Sequence, residues 1–462
     1  PYPDPPKAIY GGKSFVGPND SRSAYNTDWT DLQPRIGVAW QFLPKSVLRG
    51  GFGIFHRTAT QGGYSDGFNQ RTNYVKSFDG GLLPSGSVSG PYSLSNPFPD
   101  GIIANGNSQR LLTNIGRAVS FDGQQRVIPL TYQYSFGLQR QLPWQMLIDA
   151  SYVGSQTVHD TMAAQLDYVP YDLYLRGQKD NKFLNRKLPN PFYGILPITA
   201  DFGTPQIAAQ ELFRPYPEFN GITESTNPWA RYRYDALQLR VEKRFTGDRK
   251  GGALTLIFGY TYSKSFEANH RLNDWNLQEQ PIHELSNYDK PQNVAFSGVW
   301  DLPFGAKRHY LRESNRLVRS VVSGWNVNWV FTYSSGFPVA KPNALFTCDS
   351  YLPPDGQQTA DHWFNNDTKC YKDRPSYTLR NTEDRFAWIR QPAIPTVNLT
   401  LARTFQVTEK IKLQMRGEAF NATNTPLFGS PTTDFKDPRF GQLPLSQRNF
   451  PRLIQVASKL VF

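Results

Sequence analysis

The chain has 462 residues and a formal net charge of +12, and aromatic residues make up 14% of it. With 36 glycines and 36 prolines as well, this composition favours strands and turns over helices. The basic residues are scattered rather than clustered on one element, which argues against a nucleic-acid-binding protein. Mean hydropathy is −0.54, and no stretch reaches the ~18 apolar residues of a membrane helix. A transmembrane barrel is still allowed, because only every second residue of its strands faces lipid.

Eleven segments alternate apolar and polar residues with a period of two, which predicts eleven strands. In chain order they are Pro34–Phe42, Ser46–His56, Thr131–Gln139, Gln145–Gly154, Ala236–Phe245, Ala253–Ser263, Asn293–Leu302, Gly324–Gly336, Thr396–Phe405, Ile411–Phe420 and Pro451–Phe462. The last segment keeps its alternation up to the terminal aromatic residue, although the last residues of soluble domains usually fray.

Each segment has one apolar and one polar face, and the charged residues of two segments fall on the polar face. We interpret these side chains as facing the lumen of a barrel: Arg240, Glu242, Arg244, Lys412, Arg416 and Glu418. The alternative is a soluble sandwich whose polar face meets bulk water.

The connections between the segments alternate strictly in length. Short or medium connections follow the odd-numbered segments, and long ones follow the even-numbered segments. This is typical of an outer-membrane barrel, with short periplasmic turns and long extracellular loops. The carboxyl terminus then lies in the periplasm. Two aromatic girdles are predicted at the membrane interfaces, one of Phe42, Leu302, Phe245, Phe405 and Phe462, the other of Tyr152, Tyr262 and Tyr333.

The chain has two cysteines, Cys348 and Cys370, both in a polar, proline-rich stretch. We predict one disulfide that closes a surface loop in an oxidising compartment, with a stabilisation on the order of 3 kcal/mol. Two unpaired thiols are the alternative.

No arrangement of nucleophile, base and orienting group has supporting context, so the sequence predicts no enzyme, no catalytic residue and no cofactor. Of the six histidines, His159 and His283 fall in predicted loops without partner ligands, and we predict no metal site. The long connections mix aromatic rings with hydrogen-bonding groups in the segments Tyr171–Gly177, Asn227–Tyr234 and Asp361–Asp373. Such surfaces bind saccharides, peptides or proteins, or they only shield the barrel mouth.

Several of these motifs together resemble a known family. They are "TDWTDLQPRIGVAW", "VLRGGFGIF", "TYQYSFGLQRQLPWQMLIDASYVGS", "YDALQLRVEKRF", "LTLIFGYTYSKS", "DLPFG" and "LQMRGEAFNATNTPLFG". Their order and spacing, from about residue 28 to the end, are similar to the barrel of TonB-dependent outer-membrane receptors of the Oar-like branch. The terminal strand, with Val456, Leu460 and Phe462, resembles the signal read by the barrel-assembly machinery.

The resemblance implies an antiparallel transmembrane β-barrel in the bacterial outer membrane. Residues 1–462 would be the C-terminal portion of one barrel domain of about 22 strands, with no plug and no N-terminal immunoglobulin-like domain in this chain. The implied partners are outer-membrane lipid, the missing N-terminal part with its plug, and through it a periplasmic energy-coupling protein, but no nucleic acid.

The implied function is uptake of a polar solute such as an oligosaccharide, a peptide or a metal chelate. Two alternatives stay open. One is a surface-structural or adhesion barrel whose extracellular loops bind partners, and the other is a soluble all-β binding protein.

Overall fold

A single large antiparallel sheet dominates the computed structural model, which describes residues 29–57, 115–123, 127–194, 204–244, 252–276, 279–306, 308–408 and 410–462, with residues 18, 19, 26 and 102. Its eleven long strands correspond one to one with the eleven predicted segments, and the fold class is confirmed. The strands are β1 (Arg35–Leu43), β2 (Ser46–His56), β3 (Leu130–Leu142), β4 (Met146–Gln165), β5 (Ile222–Lys243), β6 (Ala253–Ala268), β7 (Gln292–Asp301), β8 (Trp325–Ser334), β9 (Ile394–Gln406), β10 (Lys412–Phe420) and β11 (Leu453–Val461).

The sheet is an up-and-down meander, because each strand pairs antiparallel with its neighbours in the chain. Within the described residues, β1 pairs only with β2 and β11 only with β10, so both end strands have an unpaired edge. An odd number of strands makes β1 and β11 run in the same direction. These eleven strands therefore cannot close into a barrel through antiparallel pairing alone.

The strand register joins the apolar faces of separate segments into one continuous face. Residues directly opposite each other in neighbouring strands point to the same side of the sheet. One such row consists of Val241, Phe258, Phe296, Phe331 and Val397. The adjacent row points to the other side and consists of Arg240, Gly259, Ala295, Thr332 and Thr396. The sheet thus has an apolar face and a polar face, and large side chains on the apolar face, such as Phe136, Leu237 and Leu401, are exposed.

The alternation of connection lengths is also confirmed. Residues 44–45, 143–145, 244–252, 302–324 and 407–411 connect strands at one edge of the sheet. The long connections, residues 57–129, 166–221, 269–291, 335–393 and 421–452, begin and end at the opposite edge. Because every long connection follows an even-numbered strand, all five leave the sheet on the same side.

Strands β4 and β5 extend well beyond the predicted segments, with 20 and 22 residues. His159 and Asn227–Tyr234, which were predicted in loops, therefore lie in strands, and those two predictions were wrong. The extensions lack apolar alternation because backbone pairing continues where neither side of the strand needs to be apolar. The pairing of β4 with β5 also becomes irregular after Thr157, and His159 has a φ of 56°.

The remaining elements are short. The helices are α1 (Tyr171–Lys179), α2 (Asn181–Asn185), α3 (Ala209–Leu212) and α4 (Arg316–Val322), with 3-10 turns at Pro143–Gln145 and Thr368–Cys370. None of the helices in the described residues has the length and apolar character to span a membrane. Val119–Phe121 and Glu284–Leu285 add to β5 and β6, and three small ladders pair Lys187–Pro189 with Gln206–Ala208, Pro338–Ala340 with Arg385–Arg390, and Leu345–Phe346 with Tyr371–Lys372.

Part of the predicted aromatic rims is visible in the register. Tyr152 and Tyr262 both lie opposite Leu237, so they share one row of the apolar face. Both rings are exposed. Phe245, assigned to the other rim, lies outside the described residues.

Candidate functional site

The long connections pack together over one edge of the sheet. We call their described residues the loop assembly, which comprises 166–194, 204–221, 269–276, 279–291, 335–393 and 421–452. Hydrogen bonds join different connections directly. For example, the Trp363 backbone N–H donates to the Gly441 carbonyl (2.9 Å), and the Asn273 side chain donates to the Arg380 carbonyl (3.1 Å). The connections therefore form a folded body rather than separate loops.

The connection between β8 and β9 has its own hydrophobic core. Its buried members, with one residue from the β10–β11 connection, are Val339, Ala344, Phe364, Cys370, Tyr371, Phe386, Ile389 and Phe440. Cys348 and Cys370 form a disulfide with an S–S distance of 2.09 Å and a Cα–Cα distance of 5.2 Å. The Tyr371 hydroxyl donates to the Asn365 carbonyl (2.5 Å), and burial raises the pKa of Tyr371. We call this cluster the loop core, and it gives the assembly a fixed shape.

A second small core lies in the β4–β5 connection, where Phe192, Ile207 and Phe219 pack with Ile115. Beside it, Asp167 has a fully buried carboxylate that accepts a hydrogen bond from the Tyr216 backbone N–H (3.0 Å). Arg214 lies 3.4 Å from the same carboxylate. Burial nevertheless raises the pKa of Asp167 to about 6.

Buried ion pairs attach the β8–β9 connection to the end of β6 and to the β6–β7 connection that follows it. Arg390 lies 2.5 Å from Asp289, and Arg385 lies 2.8 Å from Glu267 and 2.7 Å from Glu284. The three carboxylates are at most 5% exposed. We call these five residues, with His270 and Asp384, the charged seam. Because the carboxylates are out of water, each needs its guanidinium partner, and the seam fixes the position of the loop core.

One end of the charged seam brings a histidine and two carboxylates together. His270 Nε2 lies 3.0 Å from Asp384 Oδ2 and 3.7 Å from Glu284 Oε1. The hydrogen bond with Asp384 raises the pKa of His270, and the same bond lowers the pKa of Asp384. Sequence reasoning missed this cluster, since its three members are far apart in the chain and only the packing of two connections brings them together.

Aromatic rings from three connections meet beside α1. The Trp275 ring stacks on Tyr174 (centroids 3.7 Å apart) and on Tyr171 (5.3 Å), and Tyr377 contacts Tyr174 edge-on (5.1 Å). The Tyr377 hydroxyl lies within hydrogen-bonding distance of the Asn185 side chain, at 3.0 Å. The segment Tyr171–Gly177, predicted as a ligand-binding or shielding surface, thus lies in a helix at a junction of connections.

Five of the six predicted lumen-facing residues lie in strands on the polar face of the sheet, Arg244 follows the end of β5, and the six form two separate groups. On β5, Glu242 pairs with Arg240 and lies 3.7 Å from Arg244. On β10, Arg416 Nε lies 3.4 Å from Glu418 Oε1, and Lys412 is opposite Val461. Strands β6 to β9 separate the two groups. The polar face therefore carries paired charges of both signs at two places.

The predicted terminal signal lies on the last strand. Leu460 is opposite Leu413 and Val456 is opposite Gly417, both on the apolar face. β11 ends at Val461, and Phe462 follows it, 87% exposed. The apolar side of this strand is therefore accessible along its whole length.

Taken together, a meander with one apolar and one polar face and long connections at one edge defines a section of an outer-membrane β-barrel. The chain matches the family model described as outer membrane beta barrel domain over residues 2–455, and it belongs to this family. No curated protein sequence matches the chain.

Solved structures of outer-membrane transporters resemble the chain at low identity. For the outer membrane transporter YddB from Escherichia coli, the identity is 10% and the TM-score 0.44, over 93% of this chain and 40% of YddB. For the FrpB iron transporter from Neisseria meningitidis, the identity is 10% and the TM-score 0.39, over 93% of this chain and 39% of FrpB. For the unliganded ferric citrate transporter FecA, the identity is 8% and the TM-score 0.37, over 93% of this chain and 38% of FecA. The chain spans less than half the length of each of these structures.

Proposed function

We propose that the chain is the C-terminal part of the barrel of a TonB-dependent outer-membrane receptor of the Oar-like branch, which imports a polar solute such as an oligosaccharide, a peptide or a metal chelate. The observation that carries this proposal is the continuous apolar face opposite a charged face across eleven strands. In a membrane, the apolar face meets lipid and the opposite face lines the lumen. The resemblance of the sequence motifs to this receptor branch supports the assignment.

In this proposal the polar face forms one side of the solute path. Arg240, Glu242 and Arg244 line it at one place, and Lys412, Arg416 and Glu418 line it at another. Both signs of charge are present at each place, which suits a polar solute that forms hydrogen bonds rather than one with a single sign of charge. The edges of β1 and β11, which have no partner strand among the described residues, support a larger barrel in which further strands of the same receptor cover both edges.

The loop assembly is then the extracellular receptor surface, and the short connections and the carboxyl terminus are periplasmic. The assembly has a hydrophobic core, a disulfide and buried ion pairs, so it presents its aromatic and polar groups in a fixed arrangement. Energy for import would come from a periplasmic coupling protein that acts through the plug of the N-terminal part.

Whole-cell uptake tests the import function. Cells that produce the receptor and cells that lack it are given labelled oligosaccharides, peptides and metal chelates, with and without a protonophore. The receptor should increase accumulation of one solute class, and the protonophore should abolish the increase. Equal accumulation of all three classes in both strains would contradict the proposal.

A second function, as a surface anchor whose loops bind partners, is favoured by one observation. The loop core is a folded body with its own disulfide, as expected for a module that presents a binding surface. Removal of residues 342–376 separates the two functions. Uptake that survives this deletion while attachment of cells to surfaces is lost would favour the anchor.

A further inference from the structure

At the charged seam, three atoms with lone pairs face one another. They are His270 Nε2, Asp384 Oδ2 and Glu284 Oε1, and all lie within 4.8 Å of one another. His270 Nδ1 lies 3.0 Å from the Asn269 Oδ1 atom, which accepts a hydrogen bond only if Nδ1 carries the proton. In the protonated ring Nε2 donates to Asp384, whereas in the neutral ring Nε2 bears a lone pair directed at two carboxylate oxygens, which is the arrangement of a metal ligand set.

The charges around the cluster are compatible with a bound cation. Three carboxylates, from Glu267, Glu284 and Asp384, are paired with two guanidinium groups, from Arg380 and Arg385, and with His270 when its ring is protonated. Glu284 and Glu267 are almost fully buried. Beside a neutral His270 ring, a bound cation would supply the third positive charge, because an uncompensated buried carboxylate is strongly unfavourable.

We propose that His270, Glu284 and Asp384 bind a divalent transition-metal ion of the zinc class. Zinc bonds of about 2.0–2.2 Å to nitrogen and oxygen place neighbouring tetrahedral ligand atoms about 3.3–3.6 Å apart. The distance from His270 Nε2 to Asp384 Oδ2, 3.0 Å, is slightly shorter than this range, and the distance to Glu284 Oε1, 3.7 Å, is slightly longer. One imidazole and two carboxylates are ligands that zinc accepts, and a fourth position remains for water or for a ligand atom of a solute.

Outer hydrogen bonds already orient the three ligands. Asn269 holds the His270 ring, and Arg380 binds the other oxygen of Asp384. The Asp384 backbone N–H donates to Glu284 Oε2 (2.9 Å). Such partners fix the tautomer and the direction of ligand atoms at metal sites. Arg385 donates to Glu284 Oε1 and shares this oxygen with the metal.

The ion would join two connections of the loop assembly. His270 and Glu284 belong to the β6–β7 connection, and Asp384 belongs to the β8–β9 connection. The metal thus closes the charged seam and holds the loop core over the sheet edge. This function is independent of solute import.

Metal binding to the full chain in detergent micelles tests the proposal. The protein is stripped with a chelator and titrated with Zn²⁺ by calorimetry, and separately with Co²⁺ by visible absorption. One Zn²⁺ should bind per chain, and Co²⁺ should give the intense absorption of a tetrahedral or five-coordinate site. His270→Ala and Asp384→Asn should each weaken Zn²⁺ binding by more than about tenfold, the lower bound for loss of an outer partner.

The matched control is His362→Ala, which removes an exposed histidine of the same assembly that also bonds an asparagine side chain (2.8 Å). It should leave Zn²⁺ affinity unchanged. A chain that binds no stoichiometric Zn²⁺, or Zn²⁺ affinity unaffected by both ligand substitutions, overturns the proposal. If a substituted chain fails to fold, the Co²⁺ spectrum of the unsubstituted chain decides, since a six-coordinate aquo-like spectrum excludes the site.

Discussion

The Arg390 guanidinium lies 2.5 Å from the Asp289 carboxylate, which is completely buried. The same guanidinium donates to the Asp289 backbone carbonyl (2.9 Å) and to the Gly336 carbonyl (3.3 Å). One side chain thereby joins the β6–β7 connection to both ends of the β8–β9 connection. The loop assembly is thus fixed to the sheet at a point where water is excluded.

Loss of this cation should loosen the loop assembly but leave the strands intact. Arg390→Ala leaves the Asp289 carboxylate buried and unpaired, at a local cost on the order of 3 kcal/mol. We expect faster hydrogen exchange in residues 279–291 and 335–393 and unchanged exchange in β7 and β8. The control Arg439→Ala breaks an exposed ion pair with Asp437 in the same assembly, and it should leave hydrogen exchange unchanged in both connections and in both strands. Equal exchange in all three proteins would show that the pair does not hold the connections.

Reduction of the disulfide should destabilise the loop core but leave the strands intact. The bond between Cys348 and Cys370 closes a loop with a sequence separation of 22, and its loss costs about 2–4 kcal/mol. Limited proteolysis under reducing conditions should cut the β8–β9 connection first. A Cys348→Ser, Cys370→Ser chain should show the same cuts without reductant, and no further change with it. Resistance to proteolysis after reduction would contradict this prediction.

The two faces of β5 should respond oppositely to a new charge. Leu239 lies on the apolar face and Gln238 on the polar face. Leu239→Lys near the bilayer centre should cost about 2–4 kcal/mol, since the ammonium is placed in lipid. Gln238→Lys is the matched control and should be nearly neutral. Equilibrium folding into lipid vesicles in urea measures both, and equal losses for the two variants would contradict the assignment of the faces.

The β4–β5 connection should become less stable as pH rises. Burial raises the pKa of Asp167 to about 6, so the folded connection binds this proton more tightly than the unfolded chain does. The resulting stabilisation is complete below the ordinary pKa of 3.8 and is lost as pH rises through about 6. Hydrogen exchange in residues 204–221, corrected for its intrinsic pH dependence, should show weaker protection at about pH 8 than at about pH 5. Asp167→Asn should remove most of the difference, and the remainder should come from Glu218, whose pKa burial also raises. An undiminished difference in this variant would show that Asp167 is not its source.

Much of the sheet was predictable from local pattern. A strand in contact with lipid on one side must alternate, so β9 and β10 are evident from their own residues, and register then follows from matching apolar faces. The extensions of β4 and β5 were not predictable in this way. Beyond the part of the sheet that has an apolar face, neither side of a strand must be apolar, so the periodic signal ends at about Gly154 although backbone pairing continues to Gln165.

The contacts within the loop assembly were harder to predict from the sequence, for a different reason. The pairing of Cys348 with Cys370 followed from there being only two cysteines, but the charged seam depends on contacts between distant residues such as His270 and Asp384. Arg385 and Glu267 are ordinary charged residues in the sequence, and only the packing of whole connections places them together. Buried charge pairs of this kind have no local spacing from which they could be inferred.

The proposed import function requires that the apolar face of the sheet meets lipid, and spin labels on β9 test this contact most directly. Single labels at residues 397 to 401 are compared in lipid vesicles for accessibility to oxygen, which partitions into lipid, and to a water-soluble nickel chelate. We predict alternation with a period of two, with oxygen favoured at Val397, Leu399 and Leu401 and the chelate favoured at Asn398 and Thr400. Alternation of the opposite sign, or no alternation, would show that the apolar face does not meet lipid.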